Sequence, residues 1–246
     1  MNKEKKIAIC YYGLSYNIDS VKNSNADSVE INYESLIENH KQTLWLPNNA
    51  DIFIHTWASS KELDIKNIYK PKLSLFENQK NFYEEANDIC SNNSLEFYHR
   101  RSHLISRFYS NKMVINLKKQ FEKTHGFMYD LVMVTRFDAI YRGDWNINKL
   151  DNSKFYVSGE WPCDYKKYLP DIWFISNSFN IDILGNVYDE MKLNFYDSTD
   201  ELPNDWNSHS IVRRHLVRNN LINNIQHFKK HYIESNIFRF DSAYNK

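Results

Sequence analysis

The residues best placed for chemistry are Arg136 and Asp138, at the end of the apolar, β-prone run from Tyr129 to Asp138. A buried strand that ends on charged side chains delivers them to the crevice beyond the carboxyl ends of an open α/β sheet, where such sheets bind ligands. Carboxylate oxygens there could hold a divalent cation against a diphosphate, and the arginine could itself neutralise part of the diphosphate charge. The alternative is a structural ion pair, because side chains two residues apart on a strand face the same way.

Two earlier strand-like runs end in a similar way. The run from Lys6 to Gly13 ends at a glycine, which lets a ligand approach the backbone closely, and the run from Ala50 to Trp57 ends on polar and aromatic side chains. We expect both ends to lie at one sheet edge and to contact a nucleotide. The residues expected there are Tyr11, Tyr12, Gly13, His55 and Trp57. A plain strand-to-loop turn and a hydrogen-bonded structural histidine are the open alternatives.

The elements that must position these residues follow from hydrophobic periodicity. Strand-like runs alternate with helical segments, which predicts an α/β fold with a mostly parallel central sheet flanked by helices, in one domain over residues 1–246. The longest helical signal extends from about Leu95 to Lys123, with Gly126 as its stop. Its polar face carries Arg107, which could bind a diphosphate in a bidentate manner instead of facing solvent.

Shorter patterns predict the other elements. Helices are expected over about 29–39, 81–90, 181–193 and 208–221, the last with Ser208 as its N-cap. Strands are expected over about 72–76, 154–159 and 171–177, and a pair of strands within 225–240.

Composition excludes several classes of protein. The 246 residues contain 31 Lys and Arg against 31 Asp and Glu, so no overall field attracts the chain to nucleic acid or to a membrane surface. The three cysteines include no CxxC pair, which argues against a disulfide scaffold or zinc knuckle and for a reducing compartment. We find neither a signal peptide nor a membrane span and expect a cytoplasmic protein. The aromatic content of 15% suits a carbohydrate site.

A succession of these short motifs resembles the small GT-A-type glycosyltransferases that are encoded in bacterial capsule and lipopolysaccharide clusters and in some large DNA viruses. The motifs are Tyr11-Tyr12-Gly13, Asp51 to Trp57, Tyr129-Asp130, Arg136-Phe137-Asp138, and Asp171 before Trp173 to Ser176. The resemblance implies a nucleotide-diphospho-sugar donor, a glycan or lipid-linked glycan acceptor, and Mn²⁺ or Mg²⁺. It also implies peripheral attachment at the inner membrane face as one location, or the host cytoplasm for a viral protein.

The same resemblance assigns roles to three positions. Arg136-Phe137-Asp138 occupies the place of the DxD signature, with an arginine instead of the first carboxylate. Asp171 is the expected catalytic base, which takes the proton of the acceptor hydroxyl in an inverting transfer, and Glu160 and Asp164 are rival bases. His209 is expected to join Asp138 as a metal ligand, the alternative being a solvent-exposed helix histidine.

The function predicted from sequence is therefore sugar transfer from a nucleoside-diphosphate sugar to a glycan acceptor. A sugar nucleotidyltransferase is one alternative, although the segment after the first strand, Tyr12 to Tyr16, lacks the glycine- and lysine-rich phosphate loop that such an enzyme needs. A non-catalytic glycan-binding protein that uses the aromatic surface is the other alternative.

Overall fold

The computed structural model describes residues 5–15, 33–89, 95–159, 168–196, 207–230 and 235–237. A seven-stranded sheet with the strand order β3-β2-β1-β4-β7-β6-β8 forms its centre, and β5 and β9 form a separate antiparallel pair. The strands are β1 (Ile7–Gly13), β2 (Asp51–Thr56), β3 (Leu73–Phe76), β4 (Leu131–Arg136), β5 (Ala139–Tyr141), β6 (Phe155–Gly159), β7 (Trp173–Ser176), β8 (Ile225–Lys230) and β9 (Ser235–Ile237).

The sheet is mostly parallel. Strands β3, β2, β1 and β4 run parallel to one another, β6 runs parallel to β8, and β7 alone is antiparallel to both of its neighbours, β4 and β6. The predicted α/β class with a mostly parallel sheet flanked by helices is confirmed, and the architecture is consistent with a GT-A-like domain.

Strand register brings the predicted site residues to one edge of the sheet. Tyr12 of β1 lies opposite His55 of β2 and Arg136 of β4. Because β7 is antiparallel to β4, with Trp173 opposite Thr135, the amino end of β7 lies at the carboxyl end of β4. The residues just before β7, including Asp171, therefore meet the ends of β1 and β4.

The helices are α1 (Ile37–His40), α2 (Leu46–Asn48), α3 (Glu62–Tyr69), α4 (Tyr83–Ile89), α5 (Leu95–His125), α6 (Ser178–Gly185), α7 (Met191–Tyr196) and α8 (Ser208–Arg218). The 31-residue α5 packs on β1, β2 and β3 and also contacts α4 and α6. It ends where the sequence predicts, since Gly126 has a φ of +68°, a left-handed conformation that favours glycine.

Alternation along the strands divides the core into two faces. Cys10 and Tyr12 of β1 point into the face covered by α5, whereas Ile9 and Tyr11 point into the opposite face. Only the first face therefore places side chains of β1 next to α5.

Several predicted boundaries differ from the structure. The helix expected over 29–39 is an irregular helical segment from Tyr33 to Asn48, which includes a π-helical turn at Lys41–Trp45, and its first predicted residues lie outside the described ranges. The helix expected over 181–193 is two helices, α6 and α7, because the chain turns between Gly185 and Met191. The strands predicted near the C-terminus do not pair with each other, since β8 pairs with β6 and β9 with β5.

The N-cap of α8 was also predicted wrongly. Asn207, not Ser208, has the extended backbone of a cap, and its side chain accepts a hydrogen bond from the His209 N–H. Both residue types are good caps, so the sequence did not separate them. Within the described ranges, no helix combines the length and the apolar character needed to cross a membrane.

Candidate functional site

Arg136 and Asp138 form a bidentate ion pair at the end of β4. Nε of Arg136 donates to Oδ1 of Asp138 at 2.7 Å, and Nη2 donates to Oδ2 at 2.6 Å. Asp138 is 3% exposed, whereas the side chain of Arg136 is 20% exposed. Burial disfavours the charge of Arg136, but Asp138 outweighs this effect and raises the pKa of the guanidinium. The arginine is therefore fixed by the carboxylate, and its side chain keeps some access to solvent.

Arg107 of α5 connects four elements of the fold. Its Nη1 donates to Oδ2 of Asp171 at 2.6 Å and to Oγ of Ser208 at 3.4 Å, and its Nη2 donates to Oη of Tyr12 at 2.9 Å and to the carbonyl oxygen of Asp171. This guanidinium thus joins α5 to β1, to the segment before β7 and to α8. Its remaining donor, Nε, is buried without a hydrogen-bond partner among the described residues.

The environment of Asp171 keeps its carboxylate ionised. Burial alone would raise the pKa of Asp171, but the charge of Arg107, with contributions from His209 and a hydrogen bond from Ser208, lowers it to about 2. A general base works best when its pKa lies near the working pH. Asp171 is therefore charged throughout the neutral range and only weakly basic.

His209 lies beside Asp171 rather than beside Asp138. Its Nδ1 donates to the carbonyl oxygen of Leu169 at 2.7 Å and lies 3.5 Å from Oδ1 of Asp171. Its side chain is 27% exposed, so it is half-buried and not the solvent-exposed helix histidine of the alternative interpretation.

His55 and Gly13 belong to a hydrogen-bond network behind the sheet edge. Ser110 Oγ accepts from the Gly13 N–H at 2.8 Å and donates its proton to Nδ1 of His55 at 2.6 Å. Nε2 of His55 then donates to Oε2 of Glu77 at 2.8 Å. Both ring nitrogens of His55 form hydrogen bonds, and the residue is fully buried. His55 therefore matches the alternative of a hydrogen-bonded structural histidine.

The aromatic residues of the prediction are distributed over both faces. Tyr12 lies in the site through its bond to Arg107. Trp57 is buried and stacks on Tyr109, with 5.5 Å between ring centroids. The side chain of Tyr11 is fully buried in the opposite face, where its hydroxyl accepts from Trp45 Nε1 at 2.8 Å. Its side chain therefore does not reach the residues gathered around Arg107.

The described residues do not fit the divalent ion that the resemblance implies. Both carboxylate oxygens of Asp138 are bound by Arg136, and His209 is held at Leu169 and Asp171. In the part of the chain that the structure describes, no group of three or more His, Cys, Asp or Glu side chains is arranged to hold a metal ion. Hard divalent ions need several oxygen ligands, so the expected metal gains no support from this donor set.

Three site residues were missed by the sequence analysis: Ser110, Glu77 and Ser208. Ser110 had a usable signal, because it lies three residues after Arg107 and so shares its helix face. Glu77 and Ser208 come from segments whose approach to the site depends on the tertiary fold. The rival bases Glu160 and Asp164 lie outside the described residues.

The site therefore consists of two Arg–Asp pairs, Arg136–Asp138 and Arg107–Asp171, at the edge where β1 and β4 end and β7 begins. Comparison with known proteins assigns no family to the chain. No protein-family model matches the chain, and no curated protein matches it significantly.

Proposed function

We propose that the protein is a glycosyltransferase that moves a sugar from a nucleoside-diphosphate sugar to a glycan acceptor. The observation that carries this proposal is Arg136, which Asp138 holds at the carboxyl end of β4 in a GT-A-like sheet, beside the second ion pair Arg107–Asp171. Guanidinium groups recognise phosphate oxygens in a bidentate manner, and open α/β sheets bind nucleotides beyond the carboxyl ends of their strands.

The reaction is a displacement at the anomeric carbon. The bond between that carbon and the terminal phosphate oxygen breaks, and its electron pair stays on the phosphate. An acceptor hydroxyl oxygen forms the new bond and gives up its proton. Positive groups near the phosphate stabilise the charge that develops there, which is the role we assign to Arg136.

Asp171 is the carboxylate that we assign to receive the proton. Its low pKa makes it a weak base for a neutral hydroxyl, so proton transfer occurs late, after the attacking oxygen has begun to bond to carbon and has become acidic. Arg107 fixes the carboxylate through Oδ2 and leaves Oδ1 on the side of His209.

A donor panel tests the proposed function. The protein is incubated with UDP-, GDP-, dTDP- and ADP-sugars, each with Mn²⁺ and with EDTA, and release of the nucleoside diphosphate is followed. We expect turnover of at least one donor, and a loss of turnover with retained donor binding in Asp171→Asn. The matched control is Asp189→Asn, which changes an exposed aspartate paired with Lys112. Absence of nucleotide binding and of release across the panel would refute the proposal.

A further inference from the structure

The bidentate pair at the end of β4 has two different sides. The inner side, Nε and Nη2, is occupied by Asp138. On the outer side, Nη1 of Arg136 has no hydrogen-bond partner among the described residues, and the side chain as a whole is 20% exposed. A guanidinium that is fixed by an ion pair on its inner side and has a free donor on its outer side loses little conformational entropy when it binds an anion.

The charges around Arg136 nearly balance one another, because Arg107 and the carboxylates of Asp138 and Asp171 all lie close enough to act on its guanidinium. Arg107 lies near enough that the charge of Arg136 opposes the ionised form of Arg107. The two arginines and two aspartates are formally neutral in sum, so the anion must be held by directional hydrogen bonds and not by a net positive field.

Asp138 is poorly disposed to hold a metal ion in this arrangement. It is 3% exposed, and a cation would have to displace both bonds from Arg136. Removing them would leave the largely buried guanidinium of Arg136 without its counter-charge, which is unfavourable. Binding a phosphate at the outer side of Arg136 requires no such displacement.

Resting on the proposed function, we infer that Arg136 binds the donor diphosphate directly, that Asp138 is a positioning residue for Arg136 and not a metal ligand, and that diphosphate binding needs no divalent cation. The arginine thereby supplies the positive charge that the resemblance assigns to Mn²⁺ or Mg²⁺.

Binding of nucleoside diphosphates to the full chain tests this inference. Titration calorimetry is run with UDP, GDP, dTDP and ADP, each in EDTA and in Mn²⁺ or Mg²⁺. We expect at least one of them to bind in EDTA, with an affinity that the metal ions change by less than about threefold, a difference of well under 1 kcal/mol.

Variants then separate the roles of the two residues. Arg136→Gln should weaken binding by about 10- to 100-fold, as expected for the loss of charged hydrogen bonds. Arg136→Lys should also weaken binding. A planar guanidinium can form two hydrogen bonds to Asp138 and still donate to a phosphate, whereas an ammonium group lacks this geometry. Asp138→Asn should weaken binding less than Arg136→Gln does, since its amide oxygen still accepts one bond from Arg136, and by the same factor in EDTA and in Mn²⁺, since no metal ligand is lost. The control Arg142→Gln removes an exposed arginine nearby and should have no effect.

Circular dichroism and thermal melting establish whether each variant is folded. Binding to the unmodified protein in EDTA and in metal ions tests whether binding needs a divalent cation, even where a variant does not fold. Binding that requires Mn²⁺ or Mg²⁺ and disappears in Asp138→Asn would overturn the inference while leaving the proposed function intact. Binding in EDTA that Arg136→Gln and Arg142→Gln reduce equally would overturn the assignment to Arg136. No binding of any nucleoside diphosphate under either condition would refute the proposed function itself.

Discussion

Arg107 holds Asp171 at two points, through a 2.6 Å bond from Nη1 to the carboxylate and a bond from Nη2 to the backbone carbonyl of the same residue. The side chains are only 18% and 9% exposed, so this ion pair is largely desolvated. A desolvated pair is sensitive to the removal of one partner, because the other charge is left without compensation.

Arg107→Gln should therefore lower the free energy of unfolding by about 3 kcal/mol. Chemical denaturation measures this difference. The matched control on the same helix is Lys112→Gln, which breaks a more exposed pair with Asp189 and should cost less than about 1 kcal/mol. The double variant Arg107→Gln/Asp171→Asn should recover part of the loss, because no buried charge remains unpaired. Equal costs for Arg107→Gln and Lys112→Gln would contradict the desolvated pair.

Asp171 should make stability depend on pH in the acid range. Its pKa in the folded protein is lowered from 3.8 to about 2, so its contribution is fully present above about pH 4 and is lost as the pH falls through 2. A shift of this size corresponds to about 2 kcal/mol. We expect the unfolding free energy of Asp171→Asn to fall less steeply between pH 5 and 2 than that of the unmodified protein. This pH range spans the pKa values of Asp171 in the unfolded and the folded state. Parallel curves would show that Asp171 is not held in this way.

His40 should also make stability depend on pH, but in a higher range than Asp171. It is fully buried, its Nε2 donates to the carbonyl oxygen of Ala139 at 2.7 Å, and burial lowers its pKa from 6.5 to about 4 against the opposing effects of Ala139 and Asp138. Protonation therefore favours the unfolded chain, and stability falls as the pH drops from 6.5 towards 4, by about 3 kcal/mol from this group.

The variant His40→Gln isolates that contribution, because glutamine can donate to Ala139 but does not titrate in this range. We expect the loss of stability between pH 7 and 4 to be smaller in this variant than in the unmodified protein. The other buried histidines with lowered pKa values, His55 and His215, are present in both proteins and cancel in the difference. An unchanged pH dependence would show that His40 is accessible to protons in the folded state.

Tyr11 and Tyr12 provide a paired test of which face of the sheet binds the donor. Tyr12→Phe removes the hydroxyl that accepts from Arg107 Nη2, so we expect it to lower turnover or donor affinity about tenfold, the effect of about one charged hydrogen bond. Tyr11→Phe removes a hydroxyl bonded to Trp45 on the opposite face and should change only stability. Steady-state kinetics on the donor found in the panel, with thermal melting of both variants, measures the contrast. Equal kinetic effects would place the donor site elsewhere.

Local sequence determined the main strands and the long helix. The apolar runs at 6–13, 50–57 and 129–138 are too hydrophobic to lie outside a core, and their carboxyl ends must meet if the strands are parallel. The pairing of Arg136 with Asp138 was an alternative that the sequence left open. It forms across the turn that follows β4, because the strand ends at Arg136 and Asp138 lies beyond it.

Only the tertiary structure determines which side chains of different elements come into contact. Alternation requires Tyr11 and Tyr12 to face opposite sides, but the position of α5 determines that Tyr12 is the one beside Arg107. The antiparallel insertion of β7 carries Asp171 to the same guanidinium, from 64 residues further along the chain. Such contacts arise from the packing of whole elements, and hydrophobic periodicity specifies the buried face of an element without specifying what covers it.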